Sequence, residues 1–171
     1  MLKFEVLGVA VMEPVDFSVV DDVDVSELAD FYARQRHRTT QSPEKLRQMA
    51  EATFCFVTAR KEGRLIGIAR GVTDGVFGHL AECKLDPECQ GPACVTRTDG
   101  RIEHDRDGIA KQMATRVIDA LVDYGVQKID VVAYGTEVDF CEELGFKKIG
   151  GMVALQLEVS RDVPAATALA R

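Results

Sequence analysis

The residues best suited to chemistry lie between His79 and Lys111. Gly108-Ile109-Ala110-Lys111 opens a helical pattern. The first turn of a helix leaves backbone N–H groups without internal partners, and the helix dipole adds partial positive charge there. Backbone amides around Gly108, Ile109 and Ala110 therefore suit a phosphate-bearing ligand. Upstream, an apolar strand-like run from Val76 to Leu85 carries His79, Glu82, Cys83 and Lys84. Glu82 can accept a proton, and a histidine with a reference pKa of about 6.5 exchanges one near neutrality. Cys83, Cys89, Cys94 and His104 form a competing group. Cys89 and Cys94 have four residues between them, within the range of a zinc half-site, while Cys83 sits in the strand. Unpaired loop thiols and a redox-responsive pair are the other readings.

The elements that must position these groups follow from periodicity. Lys3 to Val11 and Asp16 to Val20 are short strand-like runs separated by Glu13-Pro14. Asp24 and Glu27 have capping-box spacing, and Leu28, Phe31 and Tyr32 recur at helical intervals, which predicts a helix from Val25 to Arg36. Ser42-Pro43 starts a second helix, with Leu46, Met49 and Ala50 on its apolar face. Phe54 to Ala59, Leu65 to Val72 and Val76 to Leu85 are separated by Lys61-Glu62-Gly63 and Asp74-Gly75, the chemistry of hairpin turns, so three antiparallel strands are expected. Asp107 to Tyr124 is the clearest amphipathic helix, closed by Gly125. Ile129 to Ala133 reads as a buried strand, parallel to a neighbour because it follows a helix. A short helix from Glu137 to Leu144 ends at Gly145, Lys147 to Val159 supplies one or two last strands with Gly150-Gly151 as bulge or turn, and residues 160–171 read as a loose tail.

Composition narrows the field. At 171 residues and 46% hydrophobic, the chain is expected to form one α/β domain over residues 1–159 with its own core. A net charge of −7 argues against duplex nucleic acid, whose phosphates need clustered Lys and Arg. The longest basic cluster, Arg34-Gln35-Arg36-His37-Arg38, is short and reads first as a solvated helix end. No run approaches the roughly 18 apolar residues of a membrane span, and no signal peptide is apparent, so a cytoplasmic protein is expected. Five cysteines, an odd number thinly spread, do not make a disulfide scaffold.

Two segments in this element order resemble the GCN5-related N-acetyltransferase (GNAT) superfamily. Leu85-Asp86-Pro87-Glu88-Cys89-Gln90-Gly91 is similar to the end of the family's fourth strand and the entry to its cofactor loop, completed by Asp107-Gly108-Ile109-Ala110. Asp139-Phe140-Cys141-Glu142-Glu143-Leu144-Gly145-Phe146-Lys147 is similar to the family's F-Y-E-K-L-G-F-K ending. The resemblance spans roughly residues 16–159. It implies a mixed, mostly antiparallel central sheet flanked by helices, with the fourth and fifth strands splayed around acetyl-CoA. It also implies transfer of an acetyl or other acyl group to a primary amine by direct attack, on a small-molecule or peptide acceptor, in a homodimer that binds neither nucleic acid nor membrane.

On that resemblance, Lys84 and Leu85 would meet the cofactor through strand backbone, and Arg106, Gly108, Ile109, Ala110 and Lys111 would form its phosphate site. Glu82 would be the base, with no metal involved. Cys141 stands where the family places the tyrosine that protonates the departing thiolate, and Tyr134, near the end of the fifth strand, offers a relocated acid. Two further departures are Asp105, an acid in the phosphate loop, and the long connection over residues 86–107. They motivate the alternative of a GNAT-like module that binds CoA or a partner without turnover; a small protein stabilised by metal at the Cys/His loop is the third reading. The acidic balance is compatible with a cationic acceptor such as a polyamine, an amino-sugar or a Lys side chain, and selects none of them.

Overall fold

A computed structural model describes residues 14–19, 22–35, 42–90, 107–133, 137–153 and 155. Strand β1 (Val15–Ser18) precedes helices α1 (Val25–Arg34) and α2 (Pro43–Glu51). Strands β2 (Cys55–Lys61), β3 (Arg64–Thr73) and β4 (Phe77–Leu85) then form a meander. Helix α3 (Ile109–Tyr124), strand β5 (Lys128–Val131) and helix α4 (Glu137–Glu143) complete the order. The sheet runs β1-β2-β3-β4-β5, antiparallel up to β4 and parallel between β4 and β5.

Strand alternation divides the core between two faces. Val57, Ala59, Ala69 and Leu85 pack with Met113, Ala114, Val117 and Leu121 of α3, while Phe56, Leu65 and Ile68 pack with Leu28, Phe31 and Tyr32 of α1 and Leu46 of α2. Helix α3 lies tight on its face because β3 offers glycines beneath it. A Cβ at Gly71 would sit 2.7 Å from Val117 Cγ1, and one at Gly67 would sit 2.7 Å from Met113 Cε. Helix α1 is tied to the sheet beyond its apolar stripe. Arg34 Nε donates to Asp86 Oδ2 at 2.8 Å and its Nη2 to the Leu65 carbonyl at 2.8 Å, which anchors the end of α1 to the end of β4.

Several boundaries differ from expectation for local reasons. Helix α1 stops at Arg34 because Gln35 is already extended, with ψ 143°. Asp24 caps α1 by accepting from Ser26 N at 2.7 Å and Glu27 N at 3.2 Å; the Glu27 carboxylate, instead of closing a capping box, pairs with Arg60, 2.7 Å from Nη2. Helix α3 begins at Ile109, because Gly108 takes a left-handed φ of 70° as its cap. The last strands do not form over residues 147–153, where Gly150 and Gly151 make a turn and Ile149, Met152 and Val153 are exposed. Expectations for residues 1–13, 91–106, 134–136 and 156–171 fall outside the described residues.

Candidate active site

Strands β4 and β5 part company midway. Their register runs from Phe77 opposite Lys128 to Leu80 opposite Val131, and there the pairing ends while β4 continues to Leu85. The β5-side edge of β4 from Ala81 onward therefore has no strand partner among the described residues. A cleft of about 580 Å³ opens at this gap. Its walls are Leu80 to Leu85 of β4, Val131 to Ala133 at the end of β5, Ala110 of α3, and Glu137, Phe140 and Cys141 of α4. On the opposite side stand Tyr32, Lys45, Leu46, Met49 and Arg70.

The period of two decides which side chain faces which mouth. Cys83 and Leu85 turn toward α3, where the Cys83 Sγ lies 3.5 Å from the Ala110 carbonyl and donates to it. Glu82 and Lys84 turn toward α1 and α2. There the Tyr32 hydroxyl donates to Glu82 Oε2 at 2.7 Å and Arg70 Nε donates to the same oxygen at 2.9 Å. Arg70 is held from behind, its Nη1 donating to Thr53 Oγ1 at 3.1 Å. Glu82 Oε1 is left with Lys84 Nζ at 3.7 Å as its nearest cation. The Glu82 side chain is 13% exposed, so its two oxygens differ: one is saturated by protein donors and the other opens to the cleft.

Burial, and after it the charge of Glu82, raises the Tyr32 hydroxyl well above its ordinary 10.0, so this phenol stays protonated. Burial also raises the Cys141 thiol, with a smaller contribution from the Glu137 charge. Cys141 is a neutral thiol in the cleft wall, without the character of a nucleophile.

At the α3 end, Gly108 adopts φ +70°, and a Cβ there would meet nothing within 4 Å. No acidic residue stands in the first turn of α3. The N–H groups of Ile109 and Ala110 lie in that first turn, where helix geometry provides no internal acceptor. Lys111 follows them and lies 3.8 Å from Glu143. The backbone path at this end combines open space, first-turn donors and no carboxylate on the first turn, features that suit an anion.

Of the residues singled out from sequence, the cleft gathers Glu82, Lys84, Leu85, Ala110 and Cys141. Gly108, Ile109 and Lys111 stand at the adjoining start of α3. Arg106 and Tyr134 lie outside the described residues, as do Asp105, Cys94 and His104. His79 is not brought to the cleft; it pairs in register with Asp130. Among the described residues Cys55, Cys83, Cys89 and Cys141 form no disulfide bond with one another, and no group of three or more His, Cys, Asp or Glu is placed to hold a metal ion. Nor, among them, is any helix long and apolar enough to cross a membrane. Tyr32, Lys45 and Met49 are additions that sequence reasoning missed as site residues. Tyr32 reads along the chain only as a member of an apolar helix face, and its partner is 50 residues away.

The meander, the parallel fifth strand and the parting of β4 and β5 at the start of α3 define the GNAT fold. Solved structures agree. A GNAT family acetyltransferase from Streptococcus pneumoniae superposes with a TM-score of 0.58 at 17% identity, over 86% of this chain and 100% of that one. The ribosomal-protein-S18-alanine N-acetyltransferase from Escherichia coli gives 0.59 at 16% identity, over 80% and 79% of the two chains. An aminoglycoside N-acetyltransferase in complex with CoA gives 0.62 at 14%, over 88% and 99%. No protein-family model matches the sequence, and no curated protein matches it either.

Proposed function

We propose that the protein is an N-acyltransferase that passes an acetyl or other acyl group from acetyl-CoA to a primary amine. The observation that carries this reading is the gap beyond Leu80 and Val131, which joins the start of α3 on one side of the sheet to Glu82 on the other. Acetyl-CoA supplies an activated thioester carbonyl. Backbone donors at Gly108, Ile109 and Ala110 hold its diphosphate, and the open β4 edge at Lys84 and Leu85 accommodates its amide-bearing arm and polarises the carbonyl.

Glu82 Oε1 orients the incoming amine and takes its proton, directly or through water, while Tyr32 and Arg70 fix the carboxylate through Oε2. As the C–N bond forms and the C–S bond breaks, the departing sulfur needs a proton. The neutral Cys141 thiol is the described group in the cleft wall best suited to supply it, and Tyr134 is the second candidate. The ribosomal-protein-S18 alanine and the aminoglycosides named for two structural neighbours support an amine as the acceptor. A cytoplasmic homodimer goes with the same reading.

The binding-only alternative draws support from Cys141, a buried thiol where the family places a tyrosine. Calorimetric titration with acetyl-CoA, followed by thiol release over a panel of amines, separates the two. Saturable binding with amine-dependent thiol release is expected. Binding without release from any amine leaves the module, and no binding at millimolar acetyl-CoA removes both.

A further inference from the structure

The reaction assigned above fixes which mouth of the cleft admits the acceptor, and the inference that follows rests on that assignment. A donor whose diphosphate sits on α3 reaches through the gap toward Glu82, so the amine approaches from the α1 and α2 side. That mouth is positively charged. Lys45, Arg70 and Lys84 line the cleft against two acids, Glu82 and, from α4, Glu137. Arg70 is committed to Glu82 at 2.9 Å, and Lys84 shares the same carboxylate from 3.7 Å. Lys45 is exposed at the rim, where its Nζ donates to the neutral Gln48 side chain at 3.1 Å and has no acidic partner among the described residues. This local excess of one positive charge runs against a chain whose net charge is −7.

We propose that the acceptor is an amine that also carries an anionic group, a carboxylate or a phosphate ester, which Lys45 and Lys84 receive while Glu82 Oε1 receives the amine. A polycation would bring its further charges against Lys45, which has no acidic partner among the described residues, so this reading disfavours a polyamine among the acceptors compatible with the overall charge. An anion at this mouth gains from Lys84, which is partly desolvated, and from Lys45 at the rim, and losing both charges is expected to weaken binding about tenfold.

The test is calorimetric titration of CoA-saturated protein with matched pairs: L-amino acids against their α-amides, phosphoethanolamine against ethanolamine, and spermidine and sisomicin as polycations. Anionic members are expected to bind at least tenfold more tightly than their neutral or cationic counterparts, and the two pairs distinguish carboxylate from phosphate. Lys45→Glu is expected to abolish the preference and raise KM for the anionic acceptor with little change in kcat, whereas Lys45→Arg retains it. Equal binding of amides or polycations, no binding by any anionic amine, or a preference unchanged in Lys45→Glu would overturn the proposal. Absence of acetyl-CoA binding, measured separately, is instead the failure of the acyl-transfer reading.

Discussion

The Tyr32 hydroxyl and Glu82 Oε2 are 2.7 Å apart, joining helix α1 to strand β4 across 50 residues of sequence. The bond sets the roles of the two carboxylate oxygens. With Oε2 occupied by Tyr32 and Arg70, only Oε1 faces the cleft with capacity to accept a proton.

Tyr32→Phe keeps the ring in the α1 core and removes this bond. Loss of a hydrogen bond to a charged acceptor is expected to lower stability by about 1.5–3 kcal/mol, measured by urea denaturation. The pH dependence has a definite sign. Folding raises the Tyr32 hydroxyl above its ordinary 10.0, so its contribution is intact below about pH 10 and declines as pH rises beyond it. Stability should therefore fall more steeply above pH 10 in the native protein than in Tyr32→Phe. Parallel curves would separate Tyr32 from the alkaline transition.

Glu82→Gln preserves the shape of the site and removes the proton acceptor. A loss of about 10²-fold in kcat is expected, with acetyl-CoA affinity little changed, since positioned general bases contribute on that order. An unchanged kcat would exclude Glu82 as the base.

Asp86 is 2% exposed and receives Arg34 at 2.8 Å and Arg64 at 3.1 Å, while its Oδ1 accepts from Glu88 N. Asp86→Ala unpairs two arginines that retain water contact, so a loss of about 2 kcal/mol is expected, less than for fully buried partners. Thermal denaturation checks it, with Glu88→Ala as the control expected to change little.

Gly71 and Gly108 separate close packing from backbone conformation. Gly71→Ala drives a Cβ into Val117 and should cost about 1–3 kcal/mol of stability, with acetyl-CoA affinity preserved in the folded fraction. Gly108→Ala meets no neighbour but opposes a φ of +70°; about 1–2 kcal/mol is expected, together with weakened acetyl-CoA binding as the phosphate donors shift. Equal acetyl-CoA affinity in the native protein and Gly108→Ala would remove the start of α3 from the cofactor site.

Much of this arrangement is legible in the sequence because it is local. The stripe Ile109, Met113, Val117 and Leu121 repeats with the helical period, and Asp74-Gly75 sets the β3–β4 turn whose register brings Arg70 opposite Glu82. What stays hidden depends on packing between distant segments. Nothing along the chain links Tyr32 to Glu82 or Arg34 to Asp86, partners separated by 50 and 52 residues. The cations lining the cleft are hidden for the same reason, since Lys45, Arg70 and Lys84 come from three different elements. Apolar content alone also misleads after Phe146, where the Gly150-Gly151 turn leaves Ile149 and Met152 outside the sheet.

The most direct measurement is a crystal structure of the acetyl-CoA complex. The account predicts the diphosphate on the backbone N–H groups of Gly108, Ile109 and Ala110, the pantetheine arm between β4 and β5, and the acetyl carbonyl presented toward Glu82. A cofactor bound away from this gap, or β4 and β5 closed together beyond Leu80 and Val131 with the cofactor absent, would contradict it.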